Sequence, residues 1–214
     1  QLQVAYQAVI NTYGLTQIDF DVEGHWLAEA KSIERRSRAI VGLQAQARRA
    51  KRTLKVWHTL PVLPSGLTRE GLVVLRSALR HRVDIAGVNI MAMNYGKAQA
   101  PKPTTHMGAY TIQAATSLHA QLNMLHREAG VQKTDAQLWA MVGLTPMLGH
   151  NDVKPETFTL GNARKALAFA RQKKIGMLSC WSANRDRPPA KPSANWASPK
   201  HTGIKQEVFG FSRI

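Results

Sequence analysis

Apolar positions along the chain follow two spacings in turn. Compact runs, in which every residue or every second residue is apolar, are separated by longer stretches where apolar residues recur at intervals of three and four, as in strand and helix units repeated around a parallel sheet. The longer spacing predicts helices over residues 4–12, 31–52, 69–82, 109–129 and 160–174. The compact runs predict strands over 15–23, 54–60, 87–93, 139–147 and 175–182. Tyr13-Gly14 punctuates the first helix and Gly130 caps the fourth. Ile33, Ile40, Leu43, Ala47 and Ala50 form the inward stripe of the second helix, and Leu72, Leu75 and Leu79 that of the third. Pro61 and Pro64 are expected to break the second strand after Leu60. Residues 96–107 read as a polar loop containing proline. Residues 184–203, rich in Pro, Ser, Lys and Asn, read as a long loop with little structure of its own, or as a domain edge.

Five strands with helices between them suit an open doubly wound sheet or most of an eight-stranded α/β barrel. No Gly-rich turn follows any strand, which counts against a dinucleotide-binding sheet. Barrels of this type run to ~250 residues. The expected fold is therefore α/β, a (β/α)8 TIM barrel lacking roughly its first three strands, with residues 1–214 as one partial domain. An unclosed barrel leaves strand edges unpaired.

Composition narrows the class of protein. A chain of 214 residues with 44% hydrophobic content can bury one substantial core without needing several. No apolar run reaches the ~18 residues of a membrane span, so no membrane partner is expected. The chain begins with Gln1 rather than Met and displays no signal peptide. Its single cysteine, Cys180, leaves no pair for an internal disulfide. Lys and Arg number 29 against 13 Asp and Glu, a net charge of +16, which raises a polyanion as a partner. Much of that charge lies in residues 31–55, where Arg35, Arg38, Arg49 and Arg52 can share one solvated helix face. No zinc-finger spacing, RNA-binding aromatic motif or phosphate loop accompanies it, so nucleic acid is not the expected partner.

The chemistry concentrates in Ile18-Asp19-Phe20-Asp21-Val22-Glu23-Gly24. In a strand, Asp19, Asp21 and Glu23 project to one face and Ile18, Phe20 and Val22 to the other. Like charges side by side are unfavourable, and more so on a desolvated face, so three carboxylates in line point to use in chemistry. An edge strand with an acidic solvent face is the plain alternative. A metal site is another, but no His-x-Glu or paired-His spacing supports one, His25 alone reads as a loop residue, and neither metal nor cofactor is expected. Aligned carboxylates of this kind serve glycoside hydrolysis, where one protonates the leaving oxygen and a neighbour tunes its proton affinity. Glu23, longest and nearest the strand end, is the natural acid.

The same segment resembles the signature strand of glycoside hydrolase family 18 chitinases, Asp-x-x-Asp-x-Asp-x-Glu, with Thr16 at the first acidic position. Further likenesses follow in order. Residues 88–96, VNIMAMNYG, resemble the family's sixth barrel strand; residues 144–152, LTPMLGHND, its seventh strand and loop; and residues 177–182, MLSCWS, its eighth. The resemblance runs from the helix before the fourth strand to the C-terminus. It implies a secreted chitinase acting on chitin or chitooligosaccharides with retention of configuration, the substrate's own N-acetyl carbonyl serving as nucleophile. It implies Glu23 as acid and base, Asp21 orienting the acetamide, Asp19 holding the proton of Asp21, and Tyr95 hydrogen-bonding the acetamide oxygen. Trp181 would floor the sugar site, Met93 would shape it, and Asn94, Asn151 and Asp152 would contact sugar hydroxyls. Trp26, Trp57 and Trp139 could extend the stacking path, with core packing the expected role of the last two. An endo-β-N-acetylglucosaminidase and a non-hydrolytic chitin-binding relative are the alternatives.

Overall fold

Each strand of the main sheet carries one apolar face, and the register shows how those faces combine. The computed structural model describes residues 1–191 and 197–214. Helix α1 (Leu2–Tyr13) ends at Gly14, whose left-handed backbone (φ 61°) turns the chain towards strand β1 (Gln17–Asp21). There follow α2 (Ala30–Arg49), β2 (Lys55–Leu63), β3 (Gly66–Leu67), α3 (Arg69–Arg80), β4 (Ile85–Ala92) and α4 (Met107–Glu128). The chain continues through α5 (Asp135–Ala140), β5 (Val142–Pro146), β6 (Gly149–His150), β7 (Thr157–Phe158), α6 (Leu160–Lys173) and β8 (Met177–Leu178).

Strands β1, β2, β4, β5 and β8 lie side by side in that order, all parallel, with β3 antiparallel on β2 and β6 paired with β7 alone. This is an α/β parallel half-barrel. Laterally, Phe20 pairs with His58, His58 with Val88, and Val88 with Val142; one pleat on, Leu60 pairs with Ile90 and Ile90 with Leu144. Leu60, Ile90 and Leu144 are each 0% exposed within the core beneath the helices, a burial contributing about 1.5–3 kcal/mol per side chain. The opposite face carries Asp21, Thr59, Asn89 and Gly143 in one lateral row, and Pro61, Met91 and Thr145 in the next. At its base Trp57 lies buried across three strands. A Cβ on Gly143 or Gly176 would stand 2.9 Å from the indole, and one on Gly87 closer still, so these glycines make room for the ring.

Two expectations need correction. Pro61 does not end β2, which runs on to Leu63. Odd-numbered residues of β2 bond towards β1, as Lys55 and Thr59 do, and β1 has ended by the level of Pro61, so its missing N–H costs no ladder bond. Trp139 belongs not to the fourth strand but to α5, started by a capping box in which Thr134 and Gln137 bond each other's backbone N–H. Its indole stacks on His119 with centroids 4.1 Å apart. The predicted terminal loop holds one short 3₁₀ turn, Ala183–Arg185; its residues 192–196 lie outside the described residues. No helix among the described residues is long and apolar enough to cross a membrane.

Candidate active site

The backbone stays extended two residues beyond β1. Val22 donates its N–H to the Thr59 carbonyl at 3.0 Å and is buried, while Glu23 keeps φ −141° and ψ 173°. Side chains therefore continue to alternate, leaving Asp19, Asp21 and Glu23 on the face away from the helices. Gly24 (φ 56°) then turns the chain into a 3₁₀ segment, Gly24–Leu27. Asp21 and Glu23 line an open cleft of about 720 Å³ at the C-terminal end of the sheet, together with Thr59, Asn89, Met91, Met93, Asn94, Thr145, Asp152 and Trp181. In α/β barrels this is the end that carries the chemistry.

Trp181 reaches the cleft because β5 and the segment after β8 continue to pair. Its N–H donates to the Pro146 carbonyl and its own carbonyl accepts from Leu148, both at 2.8 Å, leaving the indole 57% exposed. Asp19 sits one pleat deeper than Asp21. Burial raises its pKa above 3.8; a hydrogen bond from Thr59 opposes that rise, and the nearby charge of Asp21 adds to it. Burial raises Asp21 as well.

Thr59 belongs to a row that sequence inspection overlooked. Thr145 donates to Asn89 Oδ1 at 2.7 Å, Asn89 Nδ2 donates to Thr59 Oγ1 at 3.0 Å, and Thr59 donates to Asp19 Oδ2 at 2.7 Å. The available signal was a polar residue on the same face of each of three neighbouring strands, since such a group needs a partner when buried.

No family model matches the chain. The catalytic domain of a hyperthermophilic chitinase from Pyrococcus furiosus superimposes with a TM-score of 0.83 at 32% identity, covering 100% of this chain and 63% of that one. The chain is a chitinase homologue. A related Pyrococcus structure, of catalytic-site mutants of active domain 2 complexed with chito-oligosaccharides, also matches with a TM-score of 0.83. In sequence, the chitinase homologue is 40% identical over 189 residues to Endochitinase 11 of Metarhizium anisopliae, covering 86% of this chain and 35% of that protein. It is 38% identical over 216 residues to the "Probable bifunctional chitinase/lysozyme" of Escherichia coli K12, covering 98% of this chain and 23% of that protein. It thus spans between about a quarter and two thirds of the length of these relatives.

Within the chitinase homologue, Asp21, Glu23, Met93, Asn94, Asp152 and Trp181 meet at one cleft. Tyr95 and Asn151 do not. Tyr95 follows Asn94, whose left-handed backbone (φ 56°) breaks the alternation of β4 and sends the ring into the core. It packs edge-on to Tyr110 with its hydroxyl buried beside Thr111, and burial pushes its pKa up. That placement is incompatible with holding a sugar acetamide in the cleft. Asn151 is 2% exposed, and its amide nitrogen donates to the carbonyls of Met147 and Gly149 at 3.1 Å, so it braces a turn rather than facing a sugar. Asn94 reaches the cleft but also ties the rim, donating to Asp152 Oδ2 at 3.1 Å and accepting from the Val153 N–H. Trp26 stands exposed on the 3₁₀ segment; Trp57 and Trp139 are buried.

Three further charged groups support the rim. The buried carboxylate of Glu156 accepts the backbone N–H of Tyr95 at 3.1 Å and of Gly96 at 2.6 Å. Arg185, buried, donates to the carbonyls of Leu148, His150 and Ser198. Asp186 accepts from Gln206, Phe211 and Ser212, tying the C-terminal segment down. Among the described residues no group of three or more His, Cys, Asp or Glu side chains is arranged to hold a metal ion.

Proposed function

We propose that the chain forms the catalytic part of a family 18 glycoside hydrolase that cleaves β-1,4 linkages between N-acetylglucosamine units with retention of configuration. What supports this is one observation above the others: Asp21 and Glu23 open from the same strand face into the cleft where Trp181 presents its indole.

Glu23 gives its proton to the glycosidic oxygen as the bond to the anomeric carbon breaks. The carbonyl oxygen of the substrate's N-acetyl group bonds to that carbon, forming an oxazolinium ion, the substrate-assisted exception among glycosidases. The Glu23 carboxylate then takes a proton from water, whose oxygen opens the ring and restores the starting configuration. Asp21 turns towards the acetamide N–H and balances the positive charge. Asp19 exchanges a proton with Asp21, and Trp181 offers a flat apolar face to the sugar's C–H surface.

On this proposal about three further strand and helix units close the half-barrel by pairing with the outer edges of β1 and β8, since an eight-stranded barrel leaves no edge open. Chitin lies outside cells, so the protein acts as a secreted enzyme.

The test is Glu23→Gln. Turnover of chitotetraose should fall by about two to four orders of magnitude while oligosaccharide binding persists; undiminished turnover removes Glu23 as the acid. Release from a glycoprotein in preference to chitotetraose would move the substrate to N-glycan cores. Binding without turnover in the unaltered chain would favour a non-hydrolytic chitin-binding protein.

A further inference from the structure

Helices that connect parallel strands run back against them, so the C-termini of α2 and α3 lie at the base of the sheet, at the end opposite the cleft. The two helices pack together, and the buried Gln44 amide joins the loops that leave them. Its nitrogen donates to the carbonyls of Leu54 at 3.2 Å and Asp84 at 2.8 Å, and its oxygen accepts the Asp84 N–H at 3.0 Å. Residues 48–55 hold five Lys and Arg and no acid; residues 80–84 hold two and Asp84. All seven cations are exposed, and among the described residues no ion pair includes any of them.

Two of these cations occupy positions that favour glycine. Five helices end in one motif, in which a left-handed residue lets the next N–H bond a carbonyl five positions back. Gly14 and Gly130 supply that residue for α1 and α4, but Lys51 (φ 54°) and Arg82 (φ 63°) supply it for α2 and α3, and Lys174 for α6. A Cβ is unfavourable in this conformation. The helix dipoles do not require Lys51 and Arg82, since Arg48, Arg49 and Arg80 already stand in the last turns. Beside Arg52 lies a hollow of about 90 Å³ between α1 and α2, lined also by Gln7, Asn11, Gln46 and Thr53.

We propose that this basal patch, residues 48–55 and 80–84, binds an acidic polysaccharide while the cleft at the other end stays free. Arg guanidinium groups match carboxylates in a two-point fork, and the amide and hydroxyl side chains of the hollow suit sugar hydroxyls beside the charge. Neither loop carries an exposed Phe, Tyr, Trp or large aliphatic side chain, which stacking on bases or entry into a bilayer would use. No cleft residue takes part, so the patch is independent of the glycosidase function.

Calorimetric titration of the full chain with sodium polygalacturonate, at about 50 and about 200 mM salt, tests it. Binding should weaken steeply as salt rises and be absent with neutral dextran. Two double variants each remove two positive charges: Lys51→Gly with Arg82→Gly in the patch, and Lys173→Gln with Lys174→Gly at the end of α6, beyond α4. The first should weaken binding about tenfold while its urea midpoint holds or rises; the second should change binding by less than about twofold. Equal weakening in the two overturns the patch, as do absent binding of polygalacturonate and equal affinity for dextran. If the first variant fails to fold, Arg49→Gln with Arg52→Gln decides in its place. A DNA duplex bound more tightly than polygalacturonate at the same salt would overturn the polysaccharide assignment and make the partner a nucleic acid.

Discussion

The carboxylate of Glu156 accepts the backbone N–H of Tyr95 at 3.1 Å, and that bond fixes how the methionine strand ends. Glu156 comes from the loop between β6 and β7, so the contact clamps that loop to the end of β4. Met93 is left at the cleft and Tyr95 is drawn into the core. Burial raises the pKa of Glu156, while the backbone N–H groups of Gly96, Tyr95 and Asn94 counter that rise.

Removing the clamp should loosen the rim. Glu156→Ala leaves two N–H groups without their acceptor and should lower stability by about 2–3 kcal/mol. Faster amide exchange at Tyr95 and Gly96 should accompany the loss. Unchanged exchange there would mean that the turn holds itself.

Trp181 is exposed, so its removal should act on binding rather than folding. Trp181→Ala should change stability by no more than about 0.5 kcal/mol. It should weaken chitooligosaccharide binding by about tenfold, equivalent to about 1.4 kcal/mol. Calorimetric titration reads the affinity, and undiminished affinity would take the indole out of the sugar site.

Stability should depend on pH through two opposed groups. Asp19 and Asp21 titrate above 3.8 in the fold, so between 3.8 and their folded values the native state binds more protons than the unfolded chain, and stability falls as pH rises through that window. Asp186 titrates below 3.8: burial pushes its pKa up, but hydrogen bonds from Ser212, Phe211 and Gln206 outweigh that effect. Its contribution is complete above 3.8 and is lost as pH falls through its folded value. Urea unfolding across a pH series should show the acid-side loss diminished in Asp186→Asn and the rise-side loss diminished in Asp19→Asn. Parallel curves for wild type and both variants would refute these assignments.

Gly143 leaves room for its neighbours. A Cβ there would meet the backbone of Asn89 and the ring of Trp57, each at 2.9 Å. Gly143→Ala should cost about 1–3 kcal/mol of stability, measured by urea unfolding. A neutral result would show that the floor of the sheet can yield.

Local pattern carried most of the architecture. Among the described residues, apolar periodicity placed the five strands of the parallel sheet and five of the six α-helices, but not the two-residue strands β3, β6 and β7, because a strand or helix must bury one face and only certain spacings supply it. Alternation along 19–23 was enough to put Asp19, Asp21 and Glu23 on one side, since that depends on backbone geometry alone. What the strand could not disclose is which residues of other strands stand beside it. The bonds joining Asp19, Thr59, Asn89 and Thr145 span partners up to 56 positions apart in sequence, set by sheet register. The fate of Tyr95 was likewise tertiary: one left-handed residue at Asn94 and one carboxylate from a distant loop decide it, and neither leaves a mark in the spacing of apolar positions.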